Sequence, residues 1–119
     1  MEHLDILIKD KINKENKEYK KIKELHDLKI EAYKNLELDN YRDREELISK
    51  LYILFNDIKK VVEYMNKNGF RIESAVGRGR VIKIRIEHIK DILRNLKNED
   101  KNKYKRLARI QYKANGGLI

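Results

Sequence analysis

The chain has 119 residues, with 29 Lys+Arg against 20 Asp+Glu and no Cys, Trp or Pro. That length suits one domain, or one small domain with a helical extension, and only a modest core. The lack of cysteine excludes disulfides, a thiolate nucleophile and a zinc ribbon, and no apolar run reaches the ~18 residues of a bilayer span.

The N-terminal Met1-Glu2-His3-Leu4-Asp5 lacks the basic and apolar regions of a signal peptide, so a soluble cytoplasmic protein is expected. Charge is distributed unevenly. Residues 1–66 carry 14 Lys+Arg and 15 Asp+Glu, a net of −1, whereas residues 67–119 carry 15 and 5, a net of +10; the two sum to the overall +9. A balanced half beside a strongly basic half is the pattern of a scaffold joined to a surface for a polyanion.

No Gly or Pro interrupts Met1 to Asn68, so this part reads as long helices. The first is predicted from about Leu4 to Leu36, with Leu4, Ile8, Ile12, Tyr19, Ile22, Leu25, Tyr33 and Leu36 at helical steps. At ~1.5 Å per residue it is ~50 Å long, so it needs a partner helix or a break near Asn13–Asn16. Glu37-Leu38-Asp39-Asn40 reads as a connection, with Asn40 as N-cap of the next helix and Asp43 and Glu45 in its first turn. That second helix carries the strongest 3.6-residue rhythm, Leu47, Ile48, Leu51, Leu54, Phe55, Ile58, Val61, Val62 and Met65, and stops at Asn68-Gly69.

From Phe70 the period changes to two. Phe70, Ile72, Ser74 and Val76 alternate with Arg71, Glu73 and Ala75; after Gly77-Arg78-Gly79-Arg80, Ile82, Ile84 and Ile86 alternate with Val81, Lys83 and Arg85. Two β-branched runs about a glycine turn predict a β-hairpin with one apolar and one basic face. A third helix is predicted from Glu87 to Lys97, with Ile89, Ile92, Leu93 and Leu96 inward. A fourth runs from Asn102 to Ala114 and ends at Asn115-Gly116-Gly117. The expected fold is therefore mostly helical α+β: two long N-terminal helices, a β-hairpin and two shorter C-terminal helices. Residues 1–40 form a helical extension suited to dimerisation, and residues 41–119 form a small α+β domain.

Catalytic chemistry is missing. His3, His26 and His88 are far apart and lack metal-ligand spacing. Ser49 and Ser74 lie in no nucleophile elbow. The Gly-Arg-Gly-Arg turn lacks the Gly-Lys-Ser/Thr of a P-loop and precedes a strand, whereas a phosphate-cradling loop opens a helix. No enzyme activity, cofactor or metal is expected.

Cations supply the chemistry that is present. Alternation places Arg71, Lys83 and Arg85 on one hairpin face, with Arg78 and Arg80 at its tip. Arginine there suits bidentate phosphate contacts and entry into a minor groove. The third helix adds Lys90, Arg94 and Lys97 as a stripe. The fourth adds Lys103, Lys105, Arg106, Arg109 and Lys113, interleaved with Tyr104 and Tyr112, whose rings could stack on bases but are expected rather to pack inward. The predicted nucleic-acid site is Arg71, Arg78, Arg80, Lys83, Arg85, Lys90, Arg94, Lys105, Arg106 and Arg109.

A hairpin with this tip, directly after a helix ending Asn-Lys-Asn-Gly-Phe, resembles the wing of a winged-helix DNA-binding domain over roughly Glu45–Ile86. The resemblance implies a helix-turn-helix before the wing. Its one internal turn candidate is Phe55-Asn56-Asp57, with Asn56 capping a recognition helix from Asp57 to Lys67 and with Lys59, Lys60, Glu63 and Lys67 toward the major groove. The leading expectation is a small DNA- or RNA-binding protein that dimerises through its N-terminal helices. The alternative is a phage- or plasmid-type inhibitor that docks on a host nucleoprotein or a nuclease such as a CRISPR effector. A membrane surface is disfavoured, because the apolar faces of the last two helices are needed for the core and no Trp or Phe anchors them.

Overall fold

The computed structural model describes residues 2–73 and 79–117. It divides into two compact units, Met1–Lys34 and Asn35–Ile119. The first unit is a single helix, α1 (Glu2–Lys34). The second contains α2 (Arg44–Phe55), α3 (Ile58–Lys67), β1 (Arg71–Glu73), β2 (Val81–Lys83), α4 (Ile86–Asn95) and α5 (Lys103–Ala114). This is the expected α+β fold: N-terminal helices, an antiparallel hairpin, then two C-terminal helices.

The centre of the second unit is α2. Its residues from Glu46 to Ile53 are all buried, because α3, α4 and α5 each pack against it. A helix covered on every side must be apolar or internally satisfied all round. Leu47, Ile48, Leu51 and Ile53 supply the apolar part and meet Val61 and Met65 of α3, Ile89 and Leu93 of α4, and Leu107 and Ala108 of α5 as the core. Ser49 is satisfied by donating its hydroxyl to the Glu45 carbonyl one turn back, at 2.7 Å.

The start of α2 differs from expectation. Asp43, not Asn40, is its N-cap: the Asp43 carboxylate accepts from the Glu46 N–H at 2.8 Å. Asn40 instead lends its carbonyl to the Lys50 ammonium. Asn is as good a cap as Asp in isolation. The cap moves to Asp43 because the Asp43 carboxylate also receives Lys105 from α5, at 2.8 Å.

The predicted second helix is likewise two helices. Asn56 ends α2 in the left-handed region at φ 52°, and its N–H donates to the Tyr52 carbonyl at 2.8 Å. Asp57 then caps α3, accepting from the Lys59 N–H at 2.9 Å. The apolar rhythm hides this break, since Phe55 and Ile58 are both half-buried. Tertiary hydrogen bonds stabilise it. Asn56 Oδ1 accepts from the Gln111 side-chain amide at 2.8 Å and from that of Asn115 at 2.9 Å. The expected turn is present, but its cap is Asp57, one residue later than predicted.

Both ends of the hairpin are fixed. Gly69, at φ +82°, closes α3: its N–H donates to Asn66 and that of Phe70 to Met65, a pairing that satisfies the last carbonyls of a helix and favours glycine. The strands pair Arg71 with Lys83, Ile72 with Ile82 and Glu73 with Val81, so the alternation holds over these three pairs, with Ile72 and Ile82 on one face and Arg71, Glu73, Val81 and Lys83 on the other. Arg85, expected on that second face, lies beyond β2 as the N-cap residue of α4. At the other end of the unit, Gly117 donates to the Tyr112 carbonyl at 2.9 Å. A Cβ on Gly117 would lie 2.3–2.6 Å from the Tyr112 ring. That ring is buried and packs edge-on against Tyr52, 6.0 Å away between centroids, so it has no room to yield. Gly117→Ala is expected to cost about 1–3 kcal/mol, as overpacking of a core does, measured as a lower midpoint in thermal unfolding.

Candidate nucleic-acid interface

The geometry sorts the sequence-predicted cations into those held by the fold and those left outward. The held set is chiefly on α5. Lys105 is an ion-pair partner of Asp43 at 2.8 Å, with its side chain only 16% exposed. The pair shifts both groups: the Lys105 hydrogen bond is the main cause of an Asp43 carboxyl held below the ordinary range, and Asp43 in turn raises Lys105. Arg106 donates to the Asp100 and Lys101 carbonyls at 2.7 and 3.3 Å. Arg109 donates to the Arg94 carbonyl at 2.6 Å and to the Asn98 side chain at 3.3 Å. These guanidinium groups close the connection between α4 and α5, so the two arginines are structural staples of that turn. The Arg94 side chain lies 3.6 Å from Asp91 and is largely exposed.

The tyrosines of α5 are packed inward, the favoured of the two expectations, and are unavailable for base stacking. Tyr104 and Tyr112 are 9% and 4% exposed. The Tyr104 hydroxyl donates to the Asn35 carbonyl at 3.2 Å, and the Tyr112 ring faces Tyr52. Their apolar bodies are more valuable in a small core than on its surface.

Arg71 is also drawn inward. Lys83 sits directly across from it in the ladder, and like charges so placed repel. The Arg71 guanidinium turns to the end of α3, donating to the Phe70 carbonyl at 2.6 Å and the Asn66 carbonyl at 3.3 Å. Cations are favoured at that end of a helix. The repulsion is thereby relieved and Lys83 remains exposed.

The outward set lies on α3, the hairpin and the start of α4. On α3, Lys59, Lys60, Glu63 and Lys67 are exposed, while Val61 and Met65 are buried. At 100° per residue the four exposed positions form one stripe opposite the core. Lys59, Lys60 and Lys67 have no side-chain partner among the described residues. Arg80 and Lys83 on the hairpin, Arg85 at the N-cap of α4 and Lys90 within α4 are exposed too. Arg78 lies outside the described residues.

Asn66 joins these elements. Its side chain accepts from the Ile84 N–H at 2.8 Å and donates to the Ile84 carbonyl at 2.9 Å. One residue of α3 thus clamps the segment between β2 and α4 by two backbone bonds. Arg85, next along, caps α4, and its N–H donates to His88 Nδ1 at 2.9 Å. This gives His88 a local helix-capping role. Lys59 and Lys90 line one open groove of about 600 Å³, with Asp57, Ile86 and Asn115. The groove brings the first turn of α3 and the first half of α4 to a common surface.

Sequence reasoning missed the internal polar residues that hold this frame. Asn66 carries no signal in isolation, because polar residues are ordinary near helix ends. Lys50 and Glu46 are buried inside α2. Burial alone would raise the Glu46 carboxyl, but donation from the Arg42 N–H and the Asn102 amide holds it below its ordinary value. No helix among the described residues is long and apolar enough to cross a membrane, and none of their His, Asp and Glu residues cluster as a metal site. The chain matches no protein-family model, curated protein or solved structure.

Proposed function

We propose that the chain is a cytoplasmic nucleic-acid-binding protein that docks on duplex DNA as a winged-helix-like regulator. In this reading α3 lies in the major groove with Lys59, Lys60 and Lys67 on the phosphates that border it, and the hairpin rests on the flanking backbone as a wing with Arg80 and Lys83. Arg85 and Lys90 hold phosphates beside them. Glu63, exposed within the same stripe, would accept from a base amino group in this reading.

The supporting observation is the break at Asn56-Asp57. It converts one long helix into two short ones and gives the second a free polar edge. It does so immediately before a hairpin that Asn66 ties to that same helix. Lysines in the first turn of α3 add weight. The turn itself holds no acidic residue, so the N-cap Asp57 alone supplies an anion where the helix dipole favours anions by ~0.3–1 kcal/mol. Cations retained at a position where they weaken the helix point to use of their charge.

Fluorescence anisotropy of a labelled duplex across a salt series tests the proposal. About six phosphate contacts give a slope of log K against log salt near −5. Absence of binding at ~100 mM salt, or a slope near zero, would overturn it. Tighter binding of RNA in the same titration would replace the DNA assignment.

A further inference from the structure

Helix α1 carries an exposed apolar seam. Leu4, Ile8, Ile12, Tyr19 and Ile22 are 47%, 55%, 53%, 68% and 68% exposed, and at 100° per residue they fall within about 80° of one another. The stripe covers residues 4–22 of the 33-residue helix, while Ile6, Leu7 and Leu28, also exposed, lie off it. A contiguous stripe of that width is the form of a helix-pairing surface, since single scattered apolar residues need no cover but contiguous ones do.

Charge selects the occupant and its direction. In a parallel, in-register pair each seam position meets itself. Glu15, which lies within the seam between Ile12 and Tyr19, would then face a second Glu15. In an antiparallel pair the seam is self-complementary. Ile8 meets Tyr19, Ile12 meets the stem of Glu15, and Lys11 falls between Glu15 and Glu18 of the second copy; the twofold axis repeats each contact. Lysine beside glutamate at the flank and a carboxylate over an aliphatic partner replace like-charge repulsion in the core. We infer that α1 is a homodimerisation element, pairing with α1 of a second copy of this chain in antiparallel orientation.

Sedimentation equilibrium of the full chain is expected to give a mass twice 14.4 kDa at micromolar concentration. Ile8→Lys with Ile12→Lys is expected to give monomer, with the thermal transition of the second unit unchanged. Because the chain has no cysteine, orientation is readable by oxidation. Ile8→Cys mixed with Tyr19→Cys should yield a heterodisulfide. Ile8→Cys alone should not cross-link, because the two copies of that position lie ~16 Å apart in the antiparallel register, far beyond disulfide reach. A monomer at all concentrations, a dimer that survives the lysine substitutions, or efficient Ile8→Cys self-linking each overturns the inference. The nucleic-acid reading stands apart from this outcome, since its surface lies on α3, the hairpin and α4.

Discussion

Replacement of Lys59 and Lys60 by glutamate is expected to weaken duplex binding by at least thirtyfold at ~0.1 M salt and to flatten the salt slope by about two units. The counterion term scales as salt to the power −0.9 per phosphate contact, so each contact is worth about eightfold at that concentration and the pair roughly sixtyfold. Repulsion between the new carboxylates and phosphate adds to that. The variant is informative because its stability should not fall. Both side chains are exposed and have no partner among the described residues, and glutamate in the first turn of α3 is favoured by the helix dipole. Unchanged or higher thermal stability together with lost binding assigns the effect to the surface. A loss below twofold in a folded variant would remove α3 from the interface.

Lys50→Met is expected to destabilise the second unit by about 2–4 kcal/mol. The Lys50 side chain is buried at 3% exposure. Its ammonium donates to the Glu37 carbonyl at 2.9 Å and to the Asn40 carbonyl, and stands 4.7 Å from the Tyr104 ring centroid. Two effects oppose. Removing a buried charge relieves a desolvation cost, and apolar replacement of complete buried ion pairs is often neutral or stabilising. Here only one side of the interaction is removed. The carbonyls of the segment before α2 keep their need for a donor, at about 1–3 kcal/mol for each left unsatisfied, and the cation–π contact is lost as well. The unsatisfied carbonyls therefore dominate. For a unit of this size a loss of 2–4 kcal/mol lowers the thermal midpoint by roughly 10–25 °C, readable by circular dichroism. An unchanged midpoint would show that water replaces the ammonium without penalty.

The features legible in the sequence are those set by local chemistry. Gly69 marks the end of α3, Asn115-Gly116-Gly117 the end of α5, and alternation from Phe70 onward locates the basic and apolar hairpin faces. Charge placement pointed to residues 67–119, whereas Lys59 and Lys60 of the proposed surface lie before them in the charge-balanced part. Features set by tertiary partners were illegible. The division between α2 and α3 depends on Gln111 and Asn115, more than fifty residues downstream, reaching Asn56. The cap at Asp43 gains its advantage from Lys105. The basic stripe on α5 looked the same in sequence as that on α3, yet Arg106 and Arg109 find backbone carbonyls while Lys59 and Lys60 face outward. Composition counts cations; only the fold determines which of them are already bonded. Lys50 shows the limit from the other side, since nothing in its neighbourhood distinguishes it from a solvated helix lysine.

The central claim is that the outward cations of α3, the hairpin and α4 form one anion-binding surface. Lysine-reactivity footprinting of the full chain with and without duplex DNA tests it most directly, because amine labelling read by mass spectrometry reports each position separately. Protection is expected at Lys59, Lys60, Lys67, Lys83 and Lys90. Lys103 and Lys113, exposed on α5, should label as before. Uniform protection along the chain, or protection confined to α1 and α5 with the α3 lysines still reactive, would contradict the account.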